Sequence, residues 1–187
     1  MINAIITDFD GTLVDTYEAN LRAYQKAFQA VGQSLTDEQY RKCFGLRFDR
    51  FMSCMGIFED SLSGKIREKK AEFYPGFFDY LKPNSSLIEL IKSYKQKGGK
   101  TAIASTARRE NLLNVVRYLG IEDCFDLIYT GEDVKNGKPS PEIYVKTMDE
   151  LGVTPSETII FEDSPVGIEA ARASGAKYLI ITQEDFS

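Results

Sequence analysis

The chain has 187 residues, 28 acidic against 23 basic, for a net charge of −5, and it contains no histidine. A negative balance argues against a general nucleic-acid or anionic-membrane surface, and the missing histidine removes any His-ligated metal site and any Ser-His triad. Cys43, Cys54 and Cys124 lack metal-ligand spacing, the start MINAIITDFD is not a leader, and no run approaches ~18 apolar residues. Together these predict a reduced, cytoplasmic protein with no membrane span.

The first predicted strand is Ala4-Ile5-Ile6, ending in Asp8-Phe9-Asp10-Gly11-Thr12-Leu13-Val14-Asp15. No strand follows for some ninety residues. Asp15 and Glu18, three apart, read as a capping box, and Leu21, Tyr24, Phe28 and Val31 form an apolar helical stripe. Thr36-Asp37-Glu38 and the apolar set Phe44, Phe48, Phe51, Met52 and Met55 predict further helices, with Phe44, Phe48 and Phe51 in their core. The run Lys65–Lys70 is expected on a solvated helix face. Residues 16–82 are therefore read as an all-helical insert, with Lys82-Pro83-Asn84 as the return hinge.

After residue 83 helices and strands alternate. Leu87, Ile88, Leu90 and Ile91 precede Gly98-Gly99, and Leu112, Val115, Val116 and Leu119 precede Gly120. The strands 101–104, 127–129, 158–161 and 178–181 are continuously apolar, as expected of a parallel sheet covered on both faces. Ser140-Pro141 and Ser164-Pro165 read as N-cap followed by proline, and Gly152 and Gly175 as residues closing helices. The expectation is a doubly wound α/β domain, 1–15 with 83–187, interrupted by the helical insert.

Chemistry-bearing residues recur at strand ends, where ligands bind in open α/β sheets. Asp8 and Asp10 precede a glycine that permits a sharp turn; taken alone, such a pair is more often explained by Asp10 or Asp15 capping a turn or helix. Ser105 closes the second core strand, Lys138 precedes Pro139 and a helix start, and Glu162-Asp163 follows three buried apolar residues. Unpaired carboxylates at that depth are costly, a cost that magnesium, an oxygen-seeking ion, would relieve.

Asp8-Phe9-Asp10-Gly11-Thr12, Ser105, Lys138-Pro139 and Glu162-Asp163 together resemble the four ordered motifs of the haloacid dehalogenase superfamily, and the insert resembles its first class of cap domain. Phe161–Ala171 is especially similar to the branch containing phosphoglycolate phosphatases and beta-phosphoglucomutases. The resemblance implies a phosphatase of a small phosphorylated metabolite, with Asp8 as nucleophile and Asp10 as general acid and base. It implies Mg2+ held by the Asp8 carboxylate, the Asp10 carbonyl and Asp163, with Glu162 as a supporting or water-mediated partner. Lys138 and Ser105 would hold the phosphoryl oxygens, with Phe9 and Asp10 amides and Thr106 completing the cradle. Arg47, in the cap, and Arg108 or Arg109 would reach further anionic groups, while the cap closes to select substrate. Two departures stand out: Asn20 occupies the place of a histidine typical of the mutases, and the family's usual final helix and strand have no counterpart after Ile181. A mutase is the alternative reading; a non-catalytic phospho-ligand binder is the rival from another class.

Overall fold

The computed structural model describes residues 1–186 and divides into two compact units, Met1–Asp15 with the chain from Lys82 onward, and Thr16–Leu81. The first is an α/β unit whose sheet has five parallel strands: β1 (Ala4–Thr7), β4 (Lys100–Ala104), β5 (Leu127–Tyr129), β6 (Thr158–Glu162) and β7 (Lys177–Ile180), in the order β5-β4-β1-β6-β7. In register, Ile6 lies opposite Ala102 and Ile160. One face of these strands, Ala4, Ile6, Ala102, Ala104 and Ile160, packs with Ile143, Tyr144 and Met148 of α7 (Glu142–Leu151) and with Ala170 and Ala171 of α8 (Pro165–Ala173). The alternate residues Ile5 and Ile103 are buried too, so the central strands are apolar on both sides. The helices α5 (Ser85–Gln96) and α6 (Arg109–Tyr118) bury Leu87, Ile88 and Ile91, and Leu112, Val115 and Val116.

The edge strand β7 departs from the expectation of two covered faces. Leu179 and Ile180 are 50% and 55% exposed; as consecutive strand residues they point to opposite faces, so neither face of β7 is covered at that end.

A two-stranded antiparallel ribbon, β2 (Val14–Asp15) with β3 (Lys82–Pro83), marks where the chain leaves and re-enters the α/β unit. Asp15 is a strand residue there, 3.7 Å from Lys82 Nζ, and not the expected helix cap. Helix α1 (Tyr17–Ala30) has Thr16 at its N-cap without a side-chain cap bond, and Glu18 instead pairs with Arg22 one turn on. The Ser140-Pro141 start is also displaced by one residue: α7 begins at Glu142, whose N–H is bonded to Ser140 Oγ at 3.3 Å. Ser164 does cap α8, accepting from Gly167 N–H.

The second unit is all-helical: α1, α2 (Asp37–Cys43), α3 (Phe48–Cys54) and α4 (Asp60–Phe73), then a 3-10 turn over Tyr74–Tyr80. Thr36 and Gln39 form a reciprocal capping box on α2. Phe28, Tyr40, Phe51 and Ile66 form its core, with Phe44 and Phe48 packed against it. Lys70 does not lie on a solvated face: it is 4% exposed, with Nζ 3.5 Å from the Tyr74 ring centroid. A long alkyl stem and a ring face that attracts cations make that burial tolerable. Among the described residues no helix is long and apolar enough to cross a membrane.

Candidate active site

From the central strand β1 the chain runs to β4 on one side and later to β6 on the other, so the crevice at the carboxyl edge opens beside β1. Asp8 is the next residue after β1, its N–H bonded to Phe161 O at 2.9 Å. Ser105 follows β4 in the same way, bonded to Tyr129 O at 3.1 Å, and Asp163 follows β6. The fourth contributor comes from a loop. Lys138 Nζ lies 2.6 Å from Asp8 Oδ1 and 2.6 Å from Glu162 Oε1, with its side chain 3% exposed.

The neighbours Glu162 and Asp163 are solvated very differently by the protein. Glu162 Oε1 also accepts from Tyr144 Oη at 2.9 Å, while Oε2 accepts from the N–H groups of Asp163 and Ser164 and from Ser164 Oγ, at 2.8, 2.9 and 3.2 Å. A Cβ at position 167 would stand 1.7 Å from Oε1, so glycine is what admits this carboxylate. Burial opposes ionisation of Glu162, but Lys138 and these donors outweigh it and hold its pKa below the ordinary value. Asp163 Oδ1 accepts from Thr12 Oγ1 at 2.7 Å, which does not suffice: burial, reinforced by the charges of Glu162 and Asp10, pushes its pKa up to about 6. Burial likewise drives Asp8 well above its ordinary value against the pull of Lys138, with Glu162 and Asp163 adding to the rise. Lys138 stays protonated; burial would discharge it, but Asp8, Tyr144 and Glu162 raise its pKa.

Asp8, Glu162 and Asp163 bring carboxylate oxygens within 4.8 Å of one another. Three carboxylates face one ammonium, an imbalance that is costly in a buried site unless a cation shares it. All the donors are hard oxygens, which suits magnesium. Asp163 closes against Gly11, where a Cβ would come within 2.3 Å of Oδ2 and where φ is +86°, a conformation open to glycine. The donor set therefore fits a hard divalent ion at Asp8 and Asp163, with Glu162, already supplied with donors, supporting the site.

A model of the haloacid dehalogenase-like hydrolases matches residues 5–181. The chain belongs to this family. It is 33% identical over 178 residues to a phosphorylated carbohydrates phosphatase of Thermotoga maritima, covering 93% of this chain and 82% of that protein. The structure of CbbY from Rhodobacter sphaeroides with phosphate matches with a TM-score of 0.85 at 29% identity, over 96% of this chain and 86% of that one. A beta-phosphoglucomutase from Clostridium difficile matches with a TM-score of 0.82 at 26% identity, over 100% and 87%.

In this hydrolase the other residues singled out from the sequence are distributed unevenly. Asp10 lies in the turn after Asp8, and its charge is felt by Asp163. Ser105 is 1% exposed and its Oγ accepts from Ala107 N–H at 3.1 Å. Thr106 follows in the bend, its carbonyl so close to Gly131 that a Cβ there would lie 2.9 Å away. The Phe9 side chain is buried in the core, and its carbonyl accepts from the N–H groups of Leu13 and Val14. Arg108 is an exposed residue at the start of α6, 3.4 Å from Glu110 and 4.0 Å from Glu132. Arg109 is bound to Asp133 at 2.5 Å and to Ile128 O at 3.4 Å, so it ties loops together. Arg47 belongs to the helical unit, at the N-cap of α3 and 3.7 Å from Asp49. Thr12 and Tyr144 are additions that sequence reasoning assigned no role. Thr12 was in view inside the first motif, whereas Tyr144 is camouflaged by the apolar stripe of α7.

Proposed function

We propose that the protein is a magnesium-dependent phosphatase of small phosphorylated metabolites, sugar phosphates or related monoesters, working through an aspartyl-phosphate on Asp8. The observation that carries this reading is the buried Asp8 carboxylate bound to Lys138 and grouped with Glu162 and Asp163 at the carboxyl end of the central strand. A serine hydroxyl, a lysine and an oxygen-ligand cluster around a carboxylate have the composition of a phosphoryl-transfer site. Magnesium, held by Asp8, the Asp10 carbonyl and Asp163, would supply charge screening between the nucleophile and the phosphate dianion.

The chain's own residues do the rest. The Asp8 carboxylate attacks phosphorus, forming the Asp8–phosphorus bond as the bond to the leaving oxygen breaks. Asp10, protonated, gives its proton to that oxygen. It then takes one from the water that cleaves the aspartyl-phosphate, returning Asp8 to its carboxylate form. Lys138 stays charged throughout and, with Ser105, stabilises the phosphoryl oxygens. Hydrolysis of phosphorylated carbohydrates is supported by the Thermotoga relative and by the likeness to CbbY, whose structure holds phosphate. Phosphate release from a panel of phosphorylated metabolites should require magnesium; metal-independent release, or none from any substrate, would refute the reading.

The similarity to a beta-phosphoglucomutase favours one second reading, return of the phosphoryl group to a sugar. Asn20 cannot titrate, and no histidine exists to couple the acid to the correct acceptor, so water is expected to intercept the phosphoenzyme. With beta-glucose 1-phosphate and catalytic glucose 1,6-bisphosphate, faster formation of glucose 6-phosphate than of phosphate would replace hydrolysis by mutase activity.

A further inference from the structure

Lys138 reaches two carboxylates at 2.6 Å from a segment with no regular structure of its own: residues 130–141, between β5 and α7, contain neither helix nor strand. A flexible loop cannot by itself deliver an ammonium group with that accuracy, since its many conformations would have to be frozen by the two ion pairs alone. The structure contains two pins that freeze it beforehand. The first is Asp133, whose Oδ2 accepts from Thr130 N–H, Thr130 Oγ1 and Arg109 at 2.8, 2.9 and 2.5 Å, fastening the loop's start. The second lies next to the lysine. The Glu142 carboxylate accepts from two successive backbone N–H groups, Lys135 at 2.7 Å and Asn136 at 2.9 Å, and from Asn136 Nδ2 at 2.9 Å.

Successive N–H groups converging on one carboxylate form an anion nest; here the anion is built into the chain. Ser140 N–H bonds to Gly137 O at 3.1 Å and Glu142 N–H to Ser140 Oγ at 3.3 Å, so the stretch from Lys135 to Glu142 closes into a ring with Lys138 on it. The ring is anchored to a rigid base. Glu142 opens α7, and the next two residues, Ile143 and Tyr144, are 1% and 0% exposed in the sheet core. Tyr144 Oη meets Glu162 Oε1, the same oxygen that Lys138 contacts. One end of a single helix thus holds both the backbone that carries Lys138 and the carboxylate that receives it.

We propose that Glu142 is a positioning residue for the reaction: through its clasp on the Lys135 and Asn136 amides it sets the place of Lys138, without touching the reacting atoms. The expected kinetic consequence rests on the phosphatase reading, but the clasp itself can be measured without turnover. Glu142→Gln keeps the shape but sets a donor N–H where an acceptor is needed, opposing at least one of the loop amides. Asn136→Ala removes only the side-chain bond and keeps the nest.

The experiment compares wild type, Glu142→Gln and Asn136→Ala by acetylation with an N-hydroxysuccinimide ester, quantified by mass spectrometry at Lys138 and, as an internal control, at Lys92 on α5. Phosphate-release kinetics are measured alongside. In Glu142→Gln, Lys138 should label roughly tenfold faster, the effect of losing about one net hydrogen bond, with Lys92 unchanged. Its kcat should fall between about tenfold and a hundredfold, the range for a small misplacement of a catalytic group, with KM within about threefold. Asn136→Ala should move both quantities in the same direction by less. Unchanged labelling at Lys138, or a rise shared equally by Lys92, would overturn the clasp. Faster labelling at Lys138 with wild-type kcat would overturn its role in the reaction. A wild-type chain that releases no phosphate would sink the phosphatase reading, and the ratio of Lys138 to Lys92 labelling would still decide whether Glu142 holds the loop.

Discussion

The helical unit and the α/β unit bury different things. Rings fill the helical unit: Tyr24 and Phe51 meet edge to face at 5.0 Å, and Tyr40 and Phe51 at 5.7 Å. Its buried polar residues among those described are Thr16, Asn20 and Lys70. The α/β unit fills its core mainly with aliphatic side chains, joined by a few rings such as Tyr144 and Phe9, and buries both Asp8 and Glu162 at the end of the sheet. Aromatic packing tolerates modest shifts, because its attraction is spread over many weak contacts. A buried carboxylate does not, since each oxygen needs a donor at hydrogen-bond distance. The contrast separates a region whose substitutions should be felt as stability from one whose substitutions should be felt as chemistry.

The largest effect expected from breaking that contrast is at Asp8. Asp8→Asn retains shape but removes the anion proposed to attack phosphorus, and phosphate release should fall by roughly four orders of magnitude or more. The melting temperature should hold or rise, because a carboxylate whose ionisation burial disfavours is replaced by a neutral group. Near-normal turnover in the purified variant would remove Asp8 from its assigned role. Next comes Phe51, 3% exposed at the junction of the helical unit's rings. Phe51→Ala should cost about 3–5 kcal/mol in chemical denaturation, the usual range for a large core truncation; a loss below about 1 kcal/mol would mean that the aromatic cluster does not hold that unit together.

The smallest effect sharpens the comparison through pH. Partial burial works against ionisation of Asp133, but the Thr130 N–H and hydroxyl and the Arg109 guanidinium prevail and hold its pKa below the ordinary 3.8. A depressed folded pKa contributes stability that is present above the unfolded value and is lost as pH falls through the folded one. Asp133→Asn should therefore lower the melting temperature at neutral pH, and the gap to wild type should shrink as pH drops below about 4. A gap that stays constant down to pH 2 or widens in acid would rule out ionic pinning at this loop.

Much of the α/β unit was legible because the physics that shapes it is local. Strands covered on both faces carry near-continuous apolar runs with an occasional threonine, which makes β1, β4 and β6 readable without knowing their neighbours. Ser164 capping α8 and the turn at Gly11 follow from chemistry within a few residues. The acids after β1 and β6 and the lysine before a helix start were visible for the same reason: a charge beside a buried run needs an explanation. Asp15 shows the limit. As a sequence it fits a helix cap, but pairing of residues 14–15 with 82–83, far along the chain, made it a strand residue.

What the sequence by itself determined is the set of elements and the kinds of side chain at the strand ends, because apolar periodicity and capping depend on neighbours along the chain. The tertiary structure alone decided which donors each acid meets. Glu162 and Asp163 are adjacent and chemically alike, yet one is enclosed by donors from Lys138, Tyr144 and the start of α8, while burial drives the other's pKa up. The exposure of Leu179 and Ile180, the burial of Lys70 and the clasp of Glu142 on the lysine loop were decided in the same way. The physical reason is that burial and hydrogen-bond supply are properties of what lies across a gap in space, and no spacing along the chain encodes them directly.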